Sequence, residues 1–265
     1  MNAMKLIYAI CICLILFSCK SDQEEYVVAN EDSLNTLYYK NLIENSKLAN
    51  IPRPADTYIY PVVPGTDRWK ELSEKGQDEI VKVCRVPKSV LQKQSTAAVI
   101  QTFVDHPFSL DMYLSSSTLL DGFKKSVEYI DPYSELQERK DAGLCLLERY
   151  QLFAPAAPSL LFNVYEMLLA QPEFYTQLNG GEKRALIKAV LEKAAIRIEL
   201  DPELNQVGLG QITYFLLGRI MQNAEYAPFC KKVKSDESLR RFLKSMEYGF
   251  ENYDDIFYFA TQFLK

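Results

Sequence analysis

Between Glu182 and Leu200, the residues Ile187, Val190, Leu191, Ala194 and Ile198 recur at spacings of three and four, which places them on one stripe of a helix. Lys183, Arg184, Lys188, Glu192, Lys193 and Arg197 fall on the other faces. From about Asp32 onward the same period runs through nearly all of the chain, and the fold class it implies is all-α. Local signals mark where helices begin. Asp131-Pro132 and Asp201-Pro202 each read as an N-cap followed by proline at the first helical position. Thr118-Leu-Leu-Asp121 has the spacing of a capping box, and Gly65-Thr66-Asp67 opens a helix carrying the sole tryptophan, Trp69.

Proline divides this pattern. Three apolar stretches, VIQTFVDHP, VYEMLLAQP and IMQNAEYAP, end at Pro107, Pro172 and Pro228. Each is followed by a short aromatic-containing segment, a polar break (Ser115-Ser116-Ser117, Asn179-Gly180-Gly181 or Ser235-Asp236) and a fresh helix. The irregular intervals suit degenerate units of long, short and long helix rather than a tight tandem array. The expected arrangement is an irregular α-α superhelix, a solenoid-like stack of helical hairpins. Its alternative is a single non-repeating helical globule. Ile51 to Gly65, IPRPADTYIYPVVPG, holds four prolines, so no helix runs through it. It should be extended, with Tyr58, Ile59, Tyr60 and Val62 lying against helices. A strand over residues 57–63 would need a partner strand, and none is evident. The last helix, NYDDIFYFATQFLK, is apolar around much of its circumference and is read as docked on the core; a face offered to a partner is the second reading.

The amino-terminal residues carry information about place. Residues 6–17, LIYAICICLILF, are twelve without a charge, too short for a spanning helix of about 20 residues and suited to the h-region of an export signal. Leu16-Phe17-Ser18-Cys19 resembles the lipobox of bacterial lipoproteins. That resemblance implies cleavage before Cys19 and diacylglyceryl modification of its thiol, and two or more acyl chains give stable membrane anchoring. Lys20-Ser21-Asp22-Gln23-Glu24-Glu25 is similar to the acidic export tag of Bacteroidota surface lipoproteins, and it also reads as a hydrated tether. The organisation expected is a signal over residues 1–18, a polar tether over 19–32, a helix and extended proline-rich segment over 33–66, and a helical domain over 67–265. The location implied is the bacterial cell envelope, anchored in the outer membrane and facing either the surface or the periplasm.

Removing residues 1–18 from 265 leaves 247, enough for one large domain or two small ones, with a 48% hydrophobic composition able to build a core. The net charge of −5 disfavours nucleic acid as a partner, because phosphate binding needs cationic compensation. Of the six cysteines, Cys84, Cys145 and Cys230 remain beyond the lipobox, an odd set read as small buried hydrophobes with room for one bridge.

Signatures of chemistry are sparse. The sequence has no glycine-rich phosphate cradle, HExxH, paired CxxC or G-x-S-x-G, so no catalytic residue, cofactor or metal site is assigned. The single histidine, His106, cannot supply the imidazoles of a zinc site. Its place before Pro107 suggests a helix C-terminus, where partial positive charge is favoured, more than a general base or a partner for Cys84. Asp67, Asp111, Glu166, Asp254 and Asp255 are each eligible for a two-carboxylate hydrolase, against a reading as ordinary helix surface. The run from Cys230, CKKVKSDESLRRFLK, collects Lys231, Lys232, Lys234, Arg240, Arg241 and Lys244, and is either a site for an anionic ligand or headgroup or a solvated basic face. The stretches YPVVPGTDRWKEL, VCRVPKSVLQKQSTAAVIQTFVDHPF and KDAGLCLLERY together resemble a set of uncharacterised Bacteroidota lipoproteins. That resemblance implies an envelope location and no activity. Two functions are therefore expected: a lipid-anchored binding or scaffolding protein for an envelope protein or glycan, or a carboxylate-based hydrolase of surface polysaccharide. Cys19→Ser is expected to leave the chain unlipidated and in the soluble fraction; radiolabelled palmitate retained by that variant would refute the anchor.

Overall fold

The computed structural model describes residues 36–114, 117–154, 159–200, 210–247 and 249–265. The export signal, Cys19, the tether and Asp201-Pro202 lie outside the described residues. Every regular element among the described residues is helical, in agreement with the all-α class that the periodicity implies.

The described residues fall into two compact units, one formed by 36–41 with Ile59–Arg85 and the other by Leu42–Tyr58 with the described residues from Val86 to Lys265. The first described helix, α1 (Leu37–Leu48), belongs to the smaller unit by its first residues and to the larger by the rest. In the smaller unit, α2 (Asp67–Lys75) is capped as its sequence implies: the Thr66 hydroxyl accepts from the Trp69 N–H at 3.2 Å. Gly76, at φ +122°, ends α2 and begins α3 (Gln77–Cys84), a backbone conformation that side-chain-bearing residues rarely adopt. Tyr60, Val62, Val63, Trp69, Leu72 and Ile80 form its core.

The larger unit continues with α4 (Lys88–Leu91), α5 (Thr96–Val104), the 3-10 turn η1 (Asp111–Tyr113), α6 (Leu119–Ser126), α7 (Asp131–Glu138) and α8 (Ala142–Leu152). Then follow α9 (Ser159–Leu169), α10 (Pro172–Tyr175), α11 (Gly180–Leu200), α12 (Gly210–Asn223), α13 (Ala227–Ser235), α14 (Glu237–Ser245) and α15 (Tyr253–Phe263). Its main helix pairs are close in chain order: α5 packs on α7 and α8, α9 on α12, and α12 on α14 and α15. The buried faces of α9 and α12, with Phe162, Tyr165, Leu168, Phe215, Leu216 and Ile220, lie at the middle of this packing.

The proline punctuation has a specific structural outcome. Pro172 and Pro228 do more than end the helices before them: each occupies the first turn of the next helix, α10 and α13, where a missing N–H leaves no hydrogen bond unmade. Asn179-Gly180-Gly181 is likewise a start. Asn179 Oδ1 accepts from Glu182 N at 3.0 Å while Glu182 Oε2 accepts from Asn179 N at 2.7 Å, a reciprocal capping box at the head of α11. Thr118 caps α6 through the Asp121 N–H at 3.1 Å, and the Asp121 carboxylate accepts from the Ser117 hydroxyl instead of completing the box.

The four-proline segment is extended without forming a strand. Several of its backbone groups are met by side chains from helices and from the connection between α4 and α5. In the larger unit Arg149 donates to Pro52 O (3.2 Å), Gln94 to Asp56 O (2.5 Å), and Tyr58 N donates to the Thr102 hydroxyl (3.1 Å). In the smaller unit Tyr60 N donates to the Tyr39 hydroxyl at 2.5 Å. Buried backbone polar groups must find partners, and here long polar side chains replace a sheet neighbour.

The last helix is docked. Tyr253 stacks on Tyr214 with ring centroids 4.4 Å apart, Phe257 meets the same ring edge-on, and Ile256 and Ala260 are fully buried. Arg184 of α11 closes its C-terminus by donating to the carbonyls of Phe263 and Leu264, each at 2.6 Å. At the other end of the unit α6 lies directly against η1, and a methyl group at Gly122 would run into the Met112 carbonyl. Gly122→Ala is therefore expected to lower unfolding stability by about 1–3 kcal/mol, the usual cost of forcing an extra carbon into a packed contact. Denaturant titration would measure it, and an unchanged midpoint would show that the contact is loose.

Candidate functional site

Two features of the larger unit combine polar chemistry with tertiary placement: a buried ionic centre on α9 and an open groove between α6, α7, α10, α12 and α14. Helix α9 supplies Tyr165 and Glu166 next to each other in a largely apolar stretch that also carries the buried Asn163. The Glu166 carboxylate has no exposure and accepts from three helices: Tyr150 Oη of α8 (2.8 Å), Arg197 Nη1 of α11 (3.2 Å) and Thr213 Oγ1 of α12 (2.5 Å). The Arg197 guanidinium lies 4.2 Å from the centre of the Phe162 ring. Tyr165 accepts from Arg149 Nε at 2.9 Å, and Arg149 also donates to Gln101 Oε1 at 2.6 Å. Gln101 in turn donates to Asp105 at 2.8 Å, and Arg53 forks onto the same carboxylate. A charge taken out of water is tolerated only when it is paired and its remaining valences are filled, and both carboxylates meet that condition.

Lys193 performs a related task. Its ammonium donates to the carbonyls of Gln151 (3.2 Å) and Phe153 (2.5 Å) at the end of α8, where the helix dipole is negative. Burial pulls its pKa below the ordinary lysine value. The apolar stripe of α11 leaves Lys193 and Arg197 on its other faces, and both are nevertheless buried. A periodicity count treats charge as a marker of solvent, and it has no means of knowing that Glu166 and the end of α8 wait on the core side.

The groove has a volume of about 390 Å³, within the range of about 300–1,000 Å³ typical of small-molecule sites. Lys124, Arg219 and Lys244 bring three positive charges to it, and Glu173 is the carboxylate in its lining. Glu173 is engaged by the Tyr133 hydroxyl and by Gln137 Nε2 at 2.9 Å. Burial, with the neighbouring Glu173 carboxylate, pushes the Tyr133 hydroxyl pKa upward and keeps it protonated. Arg219 is half-buried, its guanidinium 5.1 Å from the centre of the Phe215 ring and 5.6 Å from that of Tyr175, with Nη2 donating to Tyr175 Oη at 3.3 Å. Beside Arg197 and Thr213 lies a second cavity of about 20 Å³, the size of a single water. Neither cavity brings two carboxylates together.

The residues singled out in the sequence are dispersed. Asp67 and Asp254 are exposed, Asp255 pairs with Lys232 at 2.8 Å, and Glu166 belongs to the buried centre. Asp111 accepts from the Tyr129 hydroxyl at 3.0 Å, and burial pushes its pKa up to about 6. His106 is fully buried, and its Nδ1 accepts from the Phe108 N–H at 3.1 Å. The ring sits just past the end of α5 and packs on Phe108. Cys84, Cys145 and Cys230 are free thiols; Cys84 is buried, and burial raises its pKa to about 12. Among the described residues no cluster of His, Cys, Asp and Glu has the make-up of a metal site.

The basic run after Cys230 is largely engaged within itself and with neighbours. Lys232 pairs with Asp236 (3.2 Å), Arg240 donates to the carbonyls of Val233 and Lys234, and Arg241 pairs with Glu247 (3.3 Å). Of its six cations only Lys244 reaches the groove, where it meets Lys124 and Arg219 from distant parts of the chain. The signal that could have flagged Arg219 is its isolation in YFLLGRIM, a single guanidinium within an apolar helix.

Comparison with protein families, curated proteins and solved structures finds no match to this chain. The geometry itself therefore carries the functional argument. Glu166→Ala is expected to cost about 3–5 kcal/mol by stranding the Arg197 charge. Arg197→Met should cost less, since Tyr150 and Thr213 still donate to Glu166. Equilibrium denaturation of both variants checks the order; the reverse order would show that Glu166 is not the element holding these helices.

Proposed function

We propose that this protein is a lipid-anchored component of the bacterial cell envelope whose helical domain binds a ligand in the groove lined by Lys124, Arg219 and Lys244. The anchor rests on the likeness of Leu16-Phe17-Ser18-Cys19 to a lipobox, with the following charged residues as tether. Binding rests on one observation above the others: the groove collects cations and hydrogen-bonding groups, while its single carboxylate is already engaged by Tyr133 and Gln137. A hydrolase of the two-carboxylate type needs acids about 5–9.5 Å apart across the scissile bond, and the lining offers one. No nucleic acid is proposed as a partner, and no cofactor is needed for binding.

Immobilised full-length protein in detergent is expected to retain a specific protein or glycan from envelope extracts, and Lys124→Gln combined with Lys244→Gln should reduce the yield. A blank across both classes would overturn the binding reading. Reducing ends released from surface polysaccharide, and abolished by Glu173→Gln, would replace it with the hydrolase.

A further inference from the structure

Resting on the binding reading above, we infer that the groove selects a small organic dianion, held at its inner end by Arg219 and flanked by Lys124 and Lys244. Charge gives the first argument. Three cations less one carboxylate leave the lining at +2, on a chain whose net charge is −5. The local field thus opposes the average field of the molecule, and a concave low-dielectric wall concentrates it.

Arg219 gives the second argument. Of the other buried or half-buried arginines with a described partner in the larger unit, Arg53, Arg139 and Arg197 each meet a carboxylate (Asp105, Glu135 and Glu166), and Arg149 is held by three oxygens, those of Gln101, Tyr165 and the Pro52 carbonyl. Arg219 has no ion pair among the described residues, and its hydrogen bond is to a tyrosine hydroxyl at 3.3 Å. It is nevertheless held in place by the rings of Tyr175 and Phe215. A guanidinium stays charged at any physiological pH. Immobilised by aromatic faces and lacking a carboxylate, it is preorganised to fork onto phosphate or carboxylate oxygens with little further loss of freedom.

The two lysines complete the receptor. Lys124 and Lys244 are exposed and form no ion pair among the described residues, and they reach the lining from α6 and α14. Gln137 and the buried Gln171 also line the groove, their Nε2 groups donating to Glu173 Oε1 and to the Met167 carbonyl, and Tyr133 adds an aromatic surface. The ligand chemistry that fits is two negative charges on a compact hydroxylated frame. Phosphate and carboxylate both supply such charge, one as a sugar phosphate and the other as an acidic disaccharide.

Full-length protein in detergent would be titrated calorimetrically at low salt with glucose 6-phosphate, with digalacturonate and with neutral maltose. At least one anion is expected to bind and maltose to remain unbound; the anion that binds identifies phosphate or carboxylate as the recognised group. Lys124→Gln with Lys244→Gln should weaken that binding at least about tenfold, the equivalent of one charge-assisted hydrogen bond, with the melting temperature unchanged. Arg219→Gln should abolish it, and Arg219→Lys should restore part of it. Because Arg219 also packs on two rings, the lysine pair carries the decision if the arginine variants fail to fold. Failure of both anions to bind, or anion binding indifferent to the lysine pair, would overturn the inference. Maltose binding without anion binding would overturn it while leaving a binding protein in place.

Discussion

A single carboxylate with no exposure, Glu166, ties α8, α11 and α12 to the central helix α9. Three donors converge on it, and its neighbour Tyr165 takes the Arg149 guanidinium that reaches the proline-rich segment. Hydrophobic contact would hold these helices together without specifying how they mesh, because burial is non-directional. A buried ion with filled valences is directional: sliding α11 by one turn would strand Arg197 and Glu166 together. We regard this pair as the register pin of the larger unit, a role for which buried ionic groups are best attested. The groove inherits its geometry from that register, since Arg219 and Thr213 ride on the same helix.

The same logic explains how a four-proline segment is accommodated in an all-helical protein. Proline removes donors and forbids helix, so the segment cannot satisfy itself. A sheet would ordinarily supply partners, but the larger unit does so through Arg149 and Thr102 of its helices and Gln94 of the α4–α5 connection. Arg149 and Thr102 are polar residues buried in helices whose patterns read as apolar, and each would be costly without the extended segment it serves. Segment and helices therefore depend on one another.

Charge is arranged on the same economical plan. Several cations are engaged locally, by i,i+3 and i,i+4 partners or by helix-end carbonyls. The three groove cations are gathered from α6, α12 and α14. Surface lysines are usually solvated and carry little meaning. Their convergence on an immobilised arginine is what gives the groove chemical character.

The sequence by itself determined the all-helical class, the extended proline-rich interval, the Thr66 and Thr118 caps and the docking stripe of the last helix. Each follows from interactions spanning a few residues, where the period of apolar side chains and the stereochemistry of proline and threonine act directly. Tertiary structure alone decided that Lys193 and Arg197 face inward and that Lys244 leaves the basic run to join Lys124 and Arg219. Those outcomes turn on partners 30 to 120 residues away, and the energy of a buried charge depends on the group opposite it rather than on its neighbours in the chain.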